Sequence, residues 1–383
     1  MKKIITGIIL CLIVSVVDAQ QTYQYRYSIF DDYLLNPAYV GSKDYYPVMV
    51  GHDLRFYGLS NSSPQTYFLS VHSRVGQGYI FDKDGKINKF FSKFGNMALG
   101  LQFTQYQYGP ERETNIGMTY GYHLDLRESY MTRNPRKLIL AFTPRLQHMW
   151  YNVNDLHLVG NVDNLYTDEI SQKSSWIFSS DVAALYQTIN FDLGFTALNF
   201  IHTKNGLESD SILQRTNNDS IPYKKVSTND YLYSPKLMIN GKLKFINAYS
   251  SEKMDVFFVP SVAIIYAPKL KYAEYIVDLM LESNFKKSIA GIRKEIQFSG
   301  QLGLNINHRR EYDPMTLFQP YISFEFKNYT ITYAHSLYLG NDLVSEGAAA
   351  IGGNQISLIF KINKNRVVTD TQYGKRTYSE SGF

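Results

Sequence analysis

Apolar and polar residues alternate with period two along most of this chain. Between Asn96 and Gln105, Met97, Leu99, Leu101 and Phe103 alternate with Ala98, Gly100, Gln102 and Thr104. Ile116, Met118, Tyr120, Tyr122 and Leu124 alternate with Gly117, Thr119, Gly121, His123 and Asp125. Leu138, Leu140, Phe142 and Leu146 oppose Ala141, Thr143, Arg145 and Gln147, and Leu237, Ile239, Leu243 and Phe245 oppose Lys236, Asn240, Lys242 and Lys244. Phe298, Leu302, Leu304 and Ile306 oppose Ser299, Gln301, Asn305 and Asn307. Ile356, Leu358 and Phe360 oppose Gln355, Ser357 and Lys361, with Ile359 out of phase. Such alternation is the signature of strands with two unlike faces.

The runs often hold for about ten residues, longer than the five or six of an ordinary soluble strand and enough to cross a bilayer when tilted. One face is apolar; the other is small and polar, as in a partly wet barrel interior. A large soluble sandwich or propeller is the alternative, but no blade repeat is present. The expectation is an all-β fold, a transmembrane antiparallel β-barrel. Candidate strands fall near 46–57, 65–74, 94–107, 112–124, 137–149, 174–187, 189–199, 231–246, 253–266, 274–284, 287–293, 296–307, 317–326, 328–336 and 353–361. Single-chain bacterial barrels have an even number of strands, so about fourteen are expected, with 287–293 and 328–336 the weakest segments.

Turn signals such as Lys83-Asp84-Gly85, Tyr108-Gly109-Pro110 and Asp313-Pro314 punctuate the runs. Two long polar connections, about 150–173 and 201–230, fall on one end of the barrel, the extracellular one, because two strands separate them. Residues 362–383 read as a polar tail, and 46–361 as the barrel. Residues 1–19 read as a signal peptide: Lys2 and Lys3, the apolar run Ile4–Val17, and Val17-Asp18-Ala19 before the cut. That run is shorter than the ~20 residues a spanning helix needs. Residues 20–45 form an N-terminal segment ahead of the barrel.

Composition agrees with this assignment. Aromatics reach 15%, with 32 Tyr and 23 Phe against 2 Trp, and Tyr suits both strands and membrane interfaces. A mean hydropathy of −0.25 fits a barrel in which every second residue meets lipid. Cys11, the single cysteine, lies inside the leader, so the mature chain has no thiol chemistry. The net charge of +5 comes without a basic cluster or nucleic-acid motif, so no nucleic-acid partner is expected.

Reactive constellations are lacking in the sequence. Asp82-Lys83-Asp84-Gly85 begins like a calcium loop, but Lys86 and Lys93 occupy ligand positions. The eight His show no metal-ligand spacing, and no nucleophile–base pair stands out. No enzyme activity and no cofactor are expected. His123, Arg145, Gln147, Lys242 and Lys244 fall on the lumen face, with Lys236 and Glu325. Two readings are open to them: a selective channel, or an interior filled with its own ion pairs.

Tyr27-Ser28-Ile29-Phe30 followed by Leu35-Asn36-Pro37-Ala38-Tyr39-Val40-Gly41-Ser42 resembles the N-terminal signature of the PorP/SprF family, membrane proteins of type IX secretion. Pro64-Gln65-Thr66-Tyr67 with Ser70-Val71-His72 resembles its second strand, and Gly352-Gly353-Asn354-Gln355-Ile356-Ser357-Leu358 its closing strand. Asn354-Gln355 stands where the family usually has His-Glu. Pro37 biases Asn36 to extended geometry and Gly41 permits a tight bend, so Asn36, Pro37, Ala38, Tyr39, Gly41 and Ser42 suit a segment that threads or closes the barrel's periplasmic end. The resemblance implies a non-enzymatic barrel of the bacterial outer membrane, embedded in its lipid and serving secretion and gliding motility at the cell surface. Its implied partners are the C-terminal domain of a secreted adhesin, other type IX components, or a peptidoglycan-associated periplasmic lipoprotein. The alternatives are a porin-like channel or a barrel subunit of another outer-membrane assembly complex. A plugged lumen favours the scaffold; an open one favours transport.

Overall fold

In the computed structural model the alternating runs close into one wall. The structure describes residues 29–43, 45–54, 64–75, 96–108, 111–126, 136–151, 174–188, 190–203, 235–243, 246–251, 254–267, 272–289, 293–310, 315–326, 328–339 and 352–362. The signal peptide, the tail, most of the two long connections and the Asp82 loop lie outside these residues. The strands are β1 (Tyr46–Leu54), β2 (Gln65–Arg74), β3 (Met97–Tyr108), β4 (Glu111–Asp125), β5 (Lys137–Tyr151), β6 (Ser174–Gln187), β7 (Phe191–His202), β8 (Lys236–Leu243), β9 (Ile246–Ser250), β10 (Met254–Ala267), β11 (Tyr272–Ile289), β12 (Arg293–Arg310), β13 (Met315–Phe326), β14 (Tyr329–Leu339) and β15 (Gly353–Ile362).

All pairings are antiparallel between neighbours, and β1 pairs with β15 from Tyr46↔Ile362 to Leu54↔Asn354, which closes the cylinder. β8 and β9 are two parts of one stave. β8 pairs with the far half of β10 through Ser261–Tyr266, and β9 with its start through Asp255–Phe258. The barrel therefore has fourteen staves. The 287–293 run is not a separate strand: its ends belong to β11 and β12, and 290–292 lie outside the described residues. Of the run expected over 231–246, the described residues form strand at Lys236–Leu243 and again from Ile246; 231–234 and 244–245 lie outside them. With staves ~4.8 Å apart and tilted ~40°, fourteen of them enclose a cylinder roughly 28 Å across between backbones.

The period-two pattern sorts the faces as expected. Leu99, Met118, Tyr120, Leu140, Phe142, Leu302 and Ile356 are exposed on the outer face. Gln102, Thr119, His123, Thr143, Gln147, Asn305 and Gln355 are buried inside. The interior is nevertheless less uniformly polar than the sequence suggested. Met49, Ile139, Ile177, Met238 and Ile265 also point inward and are almost fully buried. Met49, Ile139, Met238 and Ile265 belong to clusters with apolar residues inside the lumen, whereas Ile177 packs on Met149 of the neighbouring stave. Among the described residues no helix is long and apolar enough to cross a membrane.

The connections that include 152–173 and 204–234 lie at the end opposite Tyr46 and Ile362. Long loops mark the extracellular end, so both ends of the wall open and close at the periplasmic rim. One part of that rim projects. Phe285 pairs with Met254, the first residue of β10, and Phe298 pairs with Phe326, the last of β13. Past that level β11 and β12 continue, paired only with each other from Lys286↔Ile296 to Ile289↔Arg293.

Candidate functional site

The site is the lumen, and the N-terminal segment occupies it. Asp31 caps a single helical turn, Asp32–Leu35, by accepting from the Tyr33 amide at 3.2 Å. Asn36 is extended, as expected before proline, and its Oδ1 accepts from Ala38 N at 2.8 Å to cap a 3-10 turn, Pro37–Tyr39. Gly41 then adopts φ +65°, a left-handed conformation open to glycine, and turns the chain toward β1.

Three apolar clusters pack this segment against the wall. Leu35 sits with Leu198, Met238, Ala263, Ile265 and Ile276 on β7, β8, β10 and β11. Tyr33, Ala38, Tyr39 and Val40 pack on Ala98, Ile139, Ala141, Ala183 and Leu185 on β3, β5 and β6. Phe30 and Leu34 pack on Met49, Phe68, Tyr321 and Ala334 of β1, β2, β13 and β14, with Ile359 against them. The out-of-phase Ile359 is thereby explained: it meets the plug. Contacts made on opposite walls mean that residues 30–41 bridge the lumen's cross-section.

Polar contacts fix the orientation. Asn36 Nδ2 donates to Asn240 Oδ1 at 2.8 Å, and Tyr33 Oη donates to Thr119 Oγ1 at 2.8 Å. Gln102 Nε2 donates to the Tyr33 carbonyl at 3.1 Å, and His123 Nε2 donates to the Val40 carbonyl at 2.9 Å. Tyr39 Oη reaches Asp192 at 3.4 Å, and Lys242 Nζ pairs with Asp32 at 2.8 Å. Gly41 N donates to His72 Nδ1 at 3.1 Å, which leaves the ring proton on Nε2, 3.3 Å from Asp31 Oδ2. That last contact has ion-pair distance without hydrogen-bond alignment. Burial would raise the Asp31 carboxyl, but His72, Lys43 and the Tyr33 amide outweigh it and hold it below the usual aspartate value. Burial pushes the phenols of Tyr33 and Tyr39 well up, so both remain neutral donors.

Wall glycines shape the sockets. A Cβ at Gly100 would lie 2.3 Å from Tyr33 Oη, one at Gly121 2.3 Å from Val40 Cγ1, and one at Gly194 2.3 Å from Asn36 Nδ2. Any larger residue there would occupy the plug's own space.

The residues expected from sequence fall in two groups. Asn36, Pro37, Ala38, Tyr39 and Gly41 are buried inside the barrel, with Ser42 half-buried beside them, and His123 and Lys242 touch this segment. Arg145 and Gln147 lie on the lumen face, Arg145 pairing with Asp181 and Gln147 donating to Glu113. Lys361 pairs with Glu325. These pairs fit the filled-interior reading. Lys244 lies outside the described residues. Sequence reasoning missed Asp31, Asp32, Tyr33, His72, Asn240 and the socket glycines. A signal for the first three was available: an acidic-aromatic-apolar run immediately ahead of the Asn36-Pro37 motif has no place on a period-two strand. Toward the extracellular rim, Asp53, Thr66, Tyr106, Ile177, Glu274 and Gln355 keep 7% exposure or less, so the wall is covered there too. Among the described residues no cluster of His, Cys, Asp or Glu is arranged to hold a metal.

A lipid-facing apolar wall around a buried polar and apolar plug defines an integral outer-membrane barrel with an occupied lumen. The chain belongs to the family of type IX secretion system membrane proteins PorP/SprF, whose model matches residues 17–350. It is a protein of the bacterial outer membrane. A search of the curated proteins finds no match. Solved barrels resemble it distantly. A CymD monoaromatic hydrocarbon channel is 9% identical over 90% of this chain and 95% of that one, with a TM-score of 0.42. A bacterial polysaccharide outer membrane secretin is 10% identical over 84% and 99%, with a TM-score of 0.35. A FadL homologue from Pseudomonas aeruginosa is 10% identical over 83% and 90%, with a TM-score of 0.33. Likeness this distant carries no argument about function.

Proposed function

We propose that this barrel is a non-enzymatic scaffold of the type IX secretion and gliding machinery, which holds or helps export a secreted surface adhesin or docks a periplasmic lipoprotein. The observation that carries this reading is the occupied lumen: residues 30–41 meet staves on every side of the barrel. A porin needs a continuous water path, and a plug seated in glycine sockets obstructs one. On this reading the barrel's useful surfaces are its two rims and its loops, which suits a protein that holds other proteins in place. The polar lumen residues, His123 and Lys242 above all, then serve to seat the plug rather than to select a solute.

The test is purification of the tagged protein from detergent-solubilised outer membranes, with mass spectrometry of what accompanies it and conductance of the purified barrel in planar bilayers. Recovery of a large secreted adhesin or type IX components, with a silent bilayer, is expected. Recovery of the barrel alone, with single-channel currents, would overturn the scaffold and leave the porin.

A further inference from the structure

On the outer face, the extracellular ends of β3–β6 differ from the wall below them. Tyr108 pairs with Glu111, so β3 and β4 end there. Their last two outward positions carry Gln105 and Gln107 on β3 and Arg112 and Thr114 on β4. In register these continue into His148 and Trp150 on β5 and Trp176 on β6. The next outward row toward the periplasm is Phe103, Ile116, Leu146 and Phe178, all apolar. Amide and guanidinium groups are costly in hydrocarbon, so the step between these rows marks where acyl chains give way to head groups. Across the barrel, β10 stays apolar or aromatic up to its end at Ala267, with Val262, Ile264 and Tyr266 exposed.

The chain has two tryptophans, and both flank one ring in this patch. His148 stacks on Trp176 at 4.3 Å and tilts against Trp150 at 5.2 Å. Trp176 nevertheless keeps 61% exposure, so its outer face is uncovered. An interfacial girdle needs only aromatic rings. Here the rings adjoin a row of amides and a guanidinium, on one arc of the wall.

We propose that the outer face of β3–β6 at the extracellular rim seats the sugar head group of a glycolipid in the outer leaflet. Trp150 and Trp176 offer flat apolar faces to sugar rings, and Gln105, Gln107 and Arg112 offer hydrogen bonds to hydroxyls. Phe103, Ile116, Leu146 and Phe178 meet the acyl chains below. Four staves at ~4.8 Å spacing give a width of roughly 14 Å, room for a head group of about two rings. Lipid is the occupant because the patch continues the lipid-facing wall without a break. A phospholipid head group has no ring to lie on tryptophan and too few hydroxyls for the amides. A protein partner would call for an apolar contact core in place of an amide row. This seat goes beyond the scaffold reading and does not depend on it.

Because both tryptophans lie in the patch, the intrinsic fluorescence of the full-length barrel reports on it alone. The protein, held in an amine-oxide detergent that carries no sugar, is titrated with a disaccharide lipid A and separately with phosphatidylglycerol. A saturable change with lipid A is expected. Half-saturation should need about tenfold more lipid for phosphatidylglycerol, and about tenfold more lipid A for the combined variant Gln105→Ala, Gln107→Ala and Arg112→Ala. Folding is checked by heat-dependent gel mobility, and Gln107→Ala alone, expected to lose about threefold, serves if the combined variant does not fold. Tyr266→Ala, on the opposite arc, should titrate as wild type. No saturable change, equal half-saturation by the two lipids, or folded patch variants that titrate as wild type would each overturn the glycolipid seat. Should such a variant titrate as wild type yet lose a protein that wild type retains on affinity purification, the face is a protein contact and the glycolipid seat falls.

Discussion

Gly100, Gly121 and Gly194 show how much of the lumen is shaped one residue at a time. Each lacks a Cβ where Tyr33, Val40 or Asn36 lies within 2.3 Å of the place it would take. A Gly100→Val substitution overpacks that socket and is expected to weaken seating of the plug by about 1–3 kcal/mol. The readout is thiol labelling of an engineered Ala38→Cys, clean because the sequence has no cysteine besides Cys11. Ala38 is fully buried, so labelling should be slow in the parent and fast with Gly100→Val. Asp31 adds a pH dependence. Its carboxyl is held below the ordinary 3.8, so its contribution is complete above that value and fades as the pH falls through the depressed one. Labelling of Ala38→Cys with a dithiodipyridine, a reagent that its own protonation keeps reactive in acid, should therefore accelerate only in strong acid relative to an exposed cysteine, and Asp31→Asn should remove that acid step while labelling faster at neutral pH. The Asn36-Pro37 motif announced itself in the sequence, whereas the glycine sockets did not. A small residue on a strand's polar face has many causes, and only the plug's position gives these three one.

At the scale of the element, the plug turn depends on Asn36, which both caps Pro37–Tyr39 and bonds Asn240. Asn36→Ala removes the cap and strands a buried amide oxygen, for a combined loss of about 2–4 kcal/mol in docking of the segment. Asn36→Asp keeps the cap but places a carboxylate against Asn240 Oδ1, so it should recover only part of the loss, as seen in the same labelling assay. The strands were far more legible than this turn. Period-two alternation is a local property, and at the described positions the inward and outward faces read from it agree with burial across β3, β4, β5, β8, β12 and β15. Strand ends were not local. Nothing in 231–246 separates the part that pairs with both β7 and β10 from the part that pairs with β10 alone, and 287–293 alternates weakly because it holds the end of one strand and the start of the next. The inward apolar residues were also illegible in role. Ile139 or Met238 on a lumen face makes sense only once Val40 and Leu35 are seen to lie against them.

The whole molecule presents lipid on one side and its own chain on the other, and these two boundaries respond differently to charge. Met118 is 60% exposed near the middle of β4 on the outer face. Met118→Arg should cost about 2–4 kcal/mol on insertion into bilayers, measured by reversible unfolding from vesicles. Removal of residues 30–40 should instead leave the wall able to insert and turn a silent barrel into a conducting one. A silent bilayer from that deletion variant, still folded by gel mobility, would mean that the plug is not what keeps the lumen shut.

The order of the chain adds a further consequence. The segment that fills the barrel precedes β1, while the seam that shuts the barrel joins β1 to β15, almost the full length of the chain away. Contacts that distant in sequence form late, because the long loop between them must first be closed. Residues 30–41 are therefore present before there is an enclosure to enter, and the staves curl up around them. In that sense the plug works as a mandrel: its Phe30, Tyr33, Leu35 and Val40 offer dry landing points to successive hairpins, and set the circumference on which the last strand meets the first.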